Sequence, residues 1–125
     1  MKILAADDEE IIRSSLQTIL TKNGHDVILA VDGEEALNKA KTCGCELVLL
    51  DLEMPKINGY EVLKQLRTIN PSLPIIFLTA SGETQKIIKS IAQYKLNGFI
   101  EKPFTPEEVL DIVSKATKKK PEEQA

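Results

Sequence analysis

Leu47-Val48-Leu49-Leu50-Asp51 is the stretch that decides the fold. Four apolar residues run straight into a carboxylate. A continuous apolar run of this length predicts a strand buried on both faces, as in a parallel sheet. A lone desolvated carboxylate is costly, so an acid closing such a strand needs a reason to be there. The next residues, Leu52-Glu53-Met54-Pro55, have no helical period and carry a proline. Asp51 therefore stands at the carboxyl end of a central strand, at the mouth of a loop. In open α/β sheets that edge is where ligands bind.

Working outward, Lys2 to Ala6 reads as a first strand ending at Asp7-Asp8. Ile11, Ile12, Leu16, Ile19 and Leu20 follow at helical spacing, with Asn23-Gly24 as the stop. Val27 to Ala30 is a second strand. Asp32 then caps a helix, with Glu35 reaching back and Ala36, Leu37 and Ala40 facing inward. Beyond Asp51, Asn58 caps a helix whose stripe is Val62, Leu63 and Leu66, ended by Asn70-Pro71. Ile75 to Leu78 is a fourth strand, terminating at Thr79. Ile87, Ile88 and Ile91 suggest the next helix, with weak start signals from Ser81 to Glu83. Gly98 to Ile100 is a very short fifth strand, ending at Glu101-Lys102. Thr105-Pro106-Glu107-Glu108 is a strong helix start, with Val109, Leu110 and Val113 inward. Five strand–helix units in strict alternation predict one parallel sheet with helices on both faces and right-handed crossovers.

The 125 residues fit a single domain. At this size roughly two thirds of the unfolded surface is buried, so neither a disulfide nor a structural metal is required. The expected domain is 1–117, with 118–125 a solvated tail or the start of a linker. A net charge of −3 argues against direct nucleic-acid binding, which calls for a basic face. No run of 18 apolar residues exists to span a membrane. The amino terminus turns acidic too early for a signal peptide, so the expected compartment is the cytoplasm. Cys43-Gly44-Cys45 lacks a second ligand pair and reads as two free thiols at a helix end. His25 is the one histidine, which removes His-based metal sites and triads.

The strand ends carry the chemistry. Asp7-Asp8, Asp51, Thr79 and Lys102 all fall on one edge of the sheet. With the first and third strands adjacent, three carboxylates meet there. Like charges a few ångströms apart repel by about 1 kcal/mol per pair in water and about 4 at an effective dielectric of 20. A cation relieves that repulsion, and oxygen-only ligands favour Mg²⁺. A carboxylate nucleophile, a divalent metal and a lysine together make a phosphoryl-transfer site.

On these residues the sequence resembles the receiver domain of the bacterial response regulators, from Lys2 to about Thr117. The match is carried by Asp7-Asp8, by Val48-Leu49-Leu50-Asp51 with Met54-Pro55 and Gly59, by Leu78-Thr79-Ala80, and by Lys102-Pro103-Phe104. Each element is weak alone; in this order, at these strand ends, the set is specific. The resemblance implies a flavodoxin-like three-layer (βα)5 sandwich with strand order 2-1-3-4-5. It implies that Asp51 accepts a phosphoryl group from a histidine kinase or histidine phosphotransfer protein. Asp8 would ligate Mg²⁺ (or Mn²⁺), with Asp7 acting through water and Asp51 and the Glu53 main-chain carbonyl completing the set. Lys102, Thr79 and Ala80 would hold phosphoryl oxygens, Thr79 and Phe99 would act as the switch, and the bond to Pro103 would be cis. Output would pass to a downstream domain or protein, from a monomer with dimerisation on phosphorylation as an option. The implied role is a switch rather than an enzyme.

Phe99 replaces the family's frequent tyrosine, and Asn58 stands where aspartate is common. Glu53 and Ser81 hold variable places that tune acyl-phosphate lifetime in the family. Two other classes fit less well. A haloacid-dehalogenase-type phosphatase needs D-x-D-x-T/V, where this chain has Asp51-Leu52-Glu53-Met54-Pro55. A flavodoxin needs a phosphate loop where Asp7-Asp8-Glu9-Glu10 would repel phosphate. Taken singly, Asp7-Asp8 could simply cap a helix, Thr79 could be a strand residue, Lys102 a surface lysine and Phe99 a core aromatic.

Overall fold

A computed structural model describes residues 1–80, 82, 89 and 94–117. The expected helix around Ile87, Ile88 and Ile91, its start signals from Ser81, and the tail 118–125 lie outside the described residues. The elements are β1 (Lys2–Ala6), α1 (Glu10–Lys22), β2 (Asp26–Ala30), α2 (Gly33–Thr42), β3 (Leu47–Asp51), α3 (Gly59–Ile69), β4 (Ile75–Ala80), β5 (Gly98–Lys102) and α4 (Pro106–Thr117).

The five strands form one parallel sheet in the order β2-β1-β3-β4-β5. Side chains alternate across a strand, so each strand feeds two cores. Leu4, Val48, Leu50, Ile75 and Phe77 pack on one face with Ala36 and Leu37 of α2 and Val62, Leu63 and Leu66 of α3. Ile3, Leu47, Leu49, Ile76 and Leu78 pack on the other with Leu16 and Leu20 of α1 and Val109 and Val113 of α4. Every residue of β3 is buried, the pattern its unbroken apolar run predicted.

Local signals act as read. The Asp32 side chain accepts from the Glu35 N–H at 2.8 Å, and the Glu35 carboxylate reaches back to the Val31 N–H at 2.9 Å. Asn58 accepts from the Glu61 N–H at 3.0 Å. At α4 the box is reciprocal: Glu108 N–H donates to Thr105 Oγ1, and Thr105 N–H donates to Glu108 Oε1. Both cysteines are free thiols.

Two details differ. Ile11, counted in the apolar stripe of α1, is 73% exposed, while Leu16 and Leu20 are fully buried. Ile12, Leu16, Ile19 and Leu20 already complete an i, i+4, i+7, i+8 face, and Ile11 lies one residue off it. The fifth strand runs on to Lys102, because Thr79↔Glu101 and Ala80↔Lys102 continue the ladder.

Candidate functional site

Parity and strand order together build the site. Asp51 shares its side of β3 with Leu47 and Leu49, and Lys102 shares its side of β5 with Ile100, all on the α1/α4 face. Thr79 follows Ile75 and Phe77 in parity, toward the α2/α3 face, as does Phe99. By this alternation Asp7, Asp51 and Lys102 leave their strands on one side of the sheet and Thr79 and Phe99 on the other.

The first set converges. One oxygen from each of Asp7, Asp8 and Asp51 can be chosen so that all lie within 4.8 Å of one another. Asp7 is fully buried, Asp51 is 6% exposed and Asp8 is open to solvent. Lys102 Nζ stands 2.7 Å from Asp7 Oδ2, 3.4 Å from Asp51 Oδ1 and 3.3 Å from Glu9 Oε1. Asp7 Oδ1 accepts from the Glu9 N–H at 2.9 Å, so it does serve the start of α1. Asp7 Oδ2 is buried and meets the ammonium as an ion pair, without the angles of a directed hydrogen bond.

Charge at Asp51 and at Asp7 is disfavoured. Burial, then the charge on Asp7, raises the Asp51 carboxyl to about 6, against the pull of Lys102. Burial also raises Asp7 above the usual carboxylate range despite its contact with Lys102. Lys102 is itself held above its ordinary value: burial works against its charge, and the contacts with Asp7 and Asp51 outweigh it. A carboxylate cluster that one lysine does not fully neutralise is suited to a hard divalent cation. The donors are all oxygens, among them a buried one that makes no directed hydrogen bond, so the residues fit Mg²⁺.

A cleft of about 590 Å³ opens over the cluster, lined among others by Asp8, Asp51, Glu53, Ala80, Lys102 and Pro103. Thr79 is 1% exposed and does not line it. Phe99 is half-buried and meets Phe77 edge-on, ring centroids 6.4 Å apart; Phe77 meets Tyr60 at 6.0 Å. The Lys102–Pro103 bond is cis. The structure therefore gathers Asp7, Asp8, Asp51 and Lys102, sets Glu53 and Ala80 at the cleft wall, and leaves Thr79 and Phe99 out of the cleft lining.

The family sequence pattern described as the response regulator receiver domain matches residues 3–114. The chain belongs to the response regulator receiver domains. This receiver domain is 45% identical over 108 residues to the alkaline phosphatase synthesis transcriptional regulatory protein PhoP of Bacillus subtilis, covering 86% of the chain and 45% of that protein. It is 34% identical over 118 residues to the chemotaxis protein CheY of Thermotoga maritima, covering 94% of the chain and 98% of CheY. Among solved structures, the chemotaxis response regulator CheY4 of Vibrio cholerae superposes with a TM-score of 0.85 at 32% identity, covering 92% of this chain and 97% of that one. The chain spans less than half the length of PhoP and of the ycf27 regulators it matches. Receiver domains are signalling switches of two-component systems and generally use Mg²⁺.

Sequence reasoning missed two participants in the site and one brace outside it. Glu9 shares the Lys102 ammonium. Arg13 donates from Nη1 to the Asp7 carbonyl at 2.8 Å, bracing the end of β1. At the opposite edge of the sheet, Arg67 of α3 donates to the carbonyls of Leu73 and Lys95 and to Asn97 Oδ1, tying down the entries to β4 and β5. Glu9 follows the acidic pair directly, a signal available in the chain. Arg13 and Arg67 act mainly on main-chain carbonyls, which leave no pattern. Cys45 offers no reactive thiolate: burial pushes its thiol up to about 12. No helix among the described residues is long and apolar enough to cross a membrane.

Proposed function

We propose that Asp51 is the phosphoacceptor of this receiver domain. The donor is a phosphohistidine on a histidine kinase or a histidine phosphotransfer protein. An Asp51 oxygen attacks phosphorus, the P–N bond breaks, and the imidazole leaves with the electron pair. The product is an acyl phosphate on Asp51. The observation that carries this reading is Lys102 Nζ lying within 3.4 Å of Asp51 and 2.7 Å of Asp7 at the foot of an open cleft.

Asp8, Asp51 and the Glu53 carbonyl would hold Mg²⁺, with Asp7 assisting; Mn²⁺ shares that oxygen preference. Bound there, the metal neutralises charge spread over the phosphoryl oxygens. Lys102, already paired to Asp51, needs only to exchange a carboxylate oxygen for a phosphoryl oxygen. The Ala80 main chain, at the cleft wall, supplies a further contact. Thr79 is the mobile participant. Its hydroxyl must leave its buried place to reach a phosphoryl oxygen, and doing so disturbs the Phe77–Phe99 contact beside it. That is how a charge change at Asp51 is read on the surface of β5 and α4, by an output domain or a separate protein.

Incubation with acetyl phosphate and Mg²⁺ tests the assignment. One alkali-labile phosphoryl group is expected on the chain and none on Asp51→Asn; equal labelling of that variant rules out Asp51.

A further inference from the structure

The loop between β3 and α3, residues 52–58, carries Glu53, and it is held from outside. Gly59 N–H closes its base on Leu52 O at 2.9 Å. Near its tip, Ile57 N–H donates to Pro55 O at 2.9 Å around Lys56, whose φ is 70°. A three-residue turn with a positive φ at a non-glycine centre is the rarer and strained hand. Such a turn persists only where its surroundings enforce it.

The first turn of α2 does so. Gly33 N–H donates to the same Pro55 carbonyl at 3.3 Å. A Cβ on Gly33 would stand 1.6 Å from Ile57 O and 2.5 Å from Ile57 C, so this glycine is required by space. Lys56 Nζ lies 3.5 Å from Asp32 Oδ2 and 3.6 Å from Glu34 Oε1. The Lys56 side chain is 58% exposed, so that latch counts for little beside the steric seat.

We propose that the amino-terminal turn of α2 seats the metal-binding loop. Gly33, and to a lesser degree Lys56, are positioning residues that set where the Glu53 carbonyl stands, although neither lines the acidic cleft. The inference rests on the assignment of that carbonyl as a metal ligand. Supports one shell removed from a metal typically govern affinity by about 10- to 100-fold.

The test is Mg²⁺ titration by calorimetry on the full chain, wild type against Gly33→Ala and Lys56→Gly. High KCl screens the lost lysine charge. Amide exchange across Met54 to Gly59 is followed without metal. Gly33→Ala is expected to weaken Mg²⁺ binding by about tenfold and to speed exchange at Ile57. Lys56→Gly suits the positive φ and keeps the Gly33 contact but removes the ion-pair latch, so about a twofold loss of affinity and modestly faster exchange at Ile57 are expected. Should Gly33→Ala fail to fold, Lys56→Gly decides: faster exchange at Ile57 with weaker binding supports the seat, and no change in either overturns it. Wild-type Mg²⁺ binding that Asp8→Asn leaves untouched overturns the metal assignment and this inference with it. Normal wild-type binding, with both variants at wild-type affinity and exchange, overturns the positioning role alone.

Discussion

Lys102 Nζ sits closer to Asp7 Oδ2, at 2.7 Å, than to Asp51 Oδ1, at 3.4 Å. The lysine's tighter partner is thus the fully buried acid, leaving Asp51 the looser one at the cleft. Replacing Lys102 by Ala leaves the buried Asp7 carboxylate without its paired ammonium. An uncompensated buried group of this kind costs about 1–3 kcal/mol. The expected result is a lower urea midpoint in EDTA that Mg²⁺ largely restores. A midpoint unchanged in EDTA would show that Lys102 does not neutralise the cluster.

The metal-free protein should lose stability as pH rises through the range set by Asp51. Its carboxyl is raised from 3.8 to about 6 by burial and by Asp7. Between those values the folded state binds more protons than the unfolded one, so stability falls with rising pH and stays lower above about 6. Asp32 shifts the opposite way, lowered chiefly by the Glu35 N–H, so its stabilisation is full above the ordinary carboxylate value and is lost as pH falls below it. Comparing wild type with Asp51→Asn isolates the Asp51 share. The difference between their urea midpoints in EDTA should widen from about pH 4 to about pH 6 and then level; a constant difference removes Asp51 as the source.

Gly59→Ala should disturb the acceptor directly. A Cβ there would lie 2.5 Å from Asp51 O and 2.8 Å from Leu52 Cα, both main-chain atoms that cannot swing aside. Overpacking of this kind costs about 1–3 kcal/mol. A lower urea midpoint and slower labelling by acetyl phosphate are expected together. Wild-type values of both would mean that the start of α3 yields without moving β3.

Thr79→Ala should accept phosphate yet transmit it poorly. Thr79 is buried on β4, two residues after the Phe77 that pairs with Phe99, and in the proposed switch its hydroxyl follows the new charge. Amide exchange along β5 should respond less to acetyl phosphate and Mg²⁺ than in wild type. A full response in the variant takes Thr79 out of the switch.

Much of this receiver domain was legible in the chain because its signals are local. An unbroken apolar run announces a strand buried on both faces. Asp32, Asn58 and Thr105 cap helices through hydrogen bonds to residues three positions on. The acids and the lysine were legible as strand ends on one edge of the sheet. Partner choice was not. Lys102 lies 95 residues after Asp7 (102 − 7), and only the β2-β1-β3-β4-β5 order and the ladder to Lys102 bring them together. Ile11 turns outward because burial depends on what packs against a helix, not on apolar spacing alone. Gly33 reads as an ordinary residue in a capping box until the carbonyl of Ile57 occupies the place of its missing side chain. Hydrogen bonds within one turn are written in neighbouring residues; distances between elements are set by how whole layers pack, and those only the tertiary structure decides.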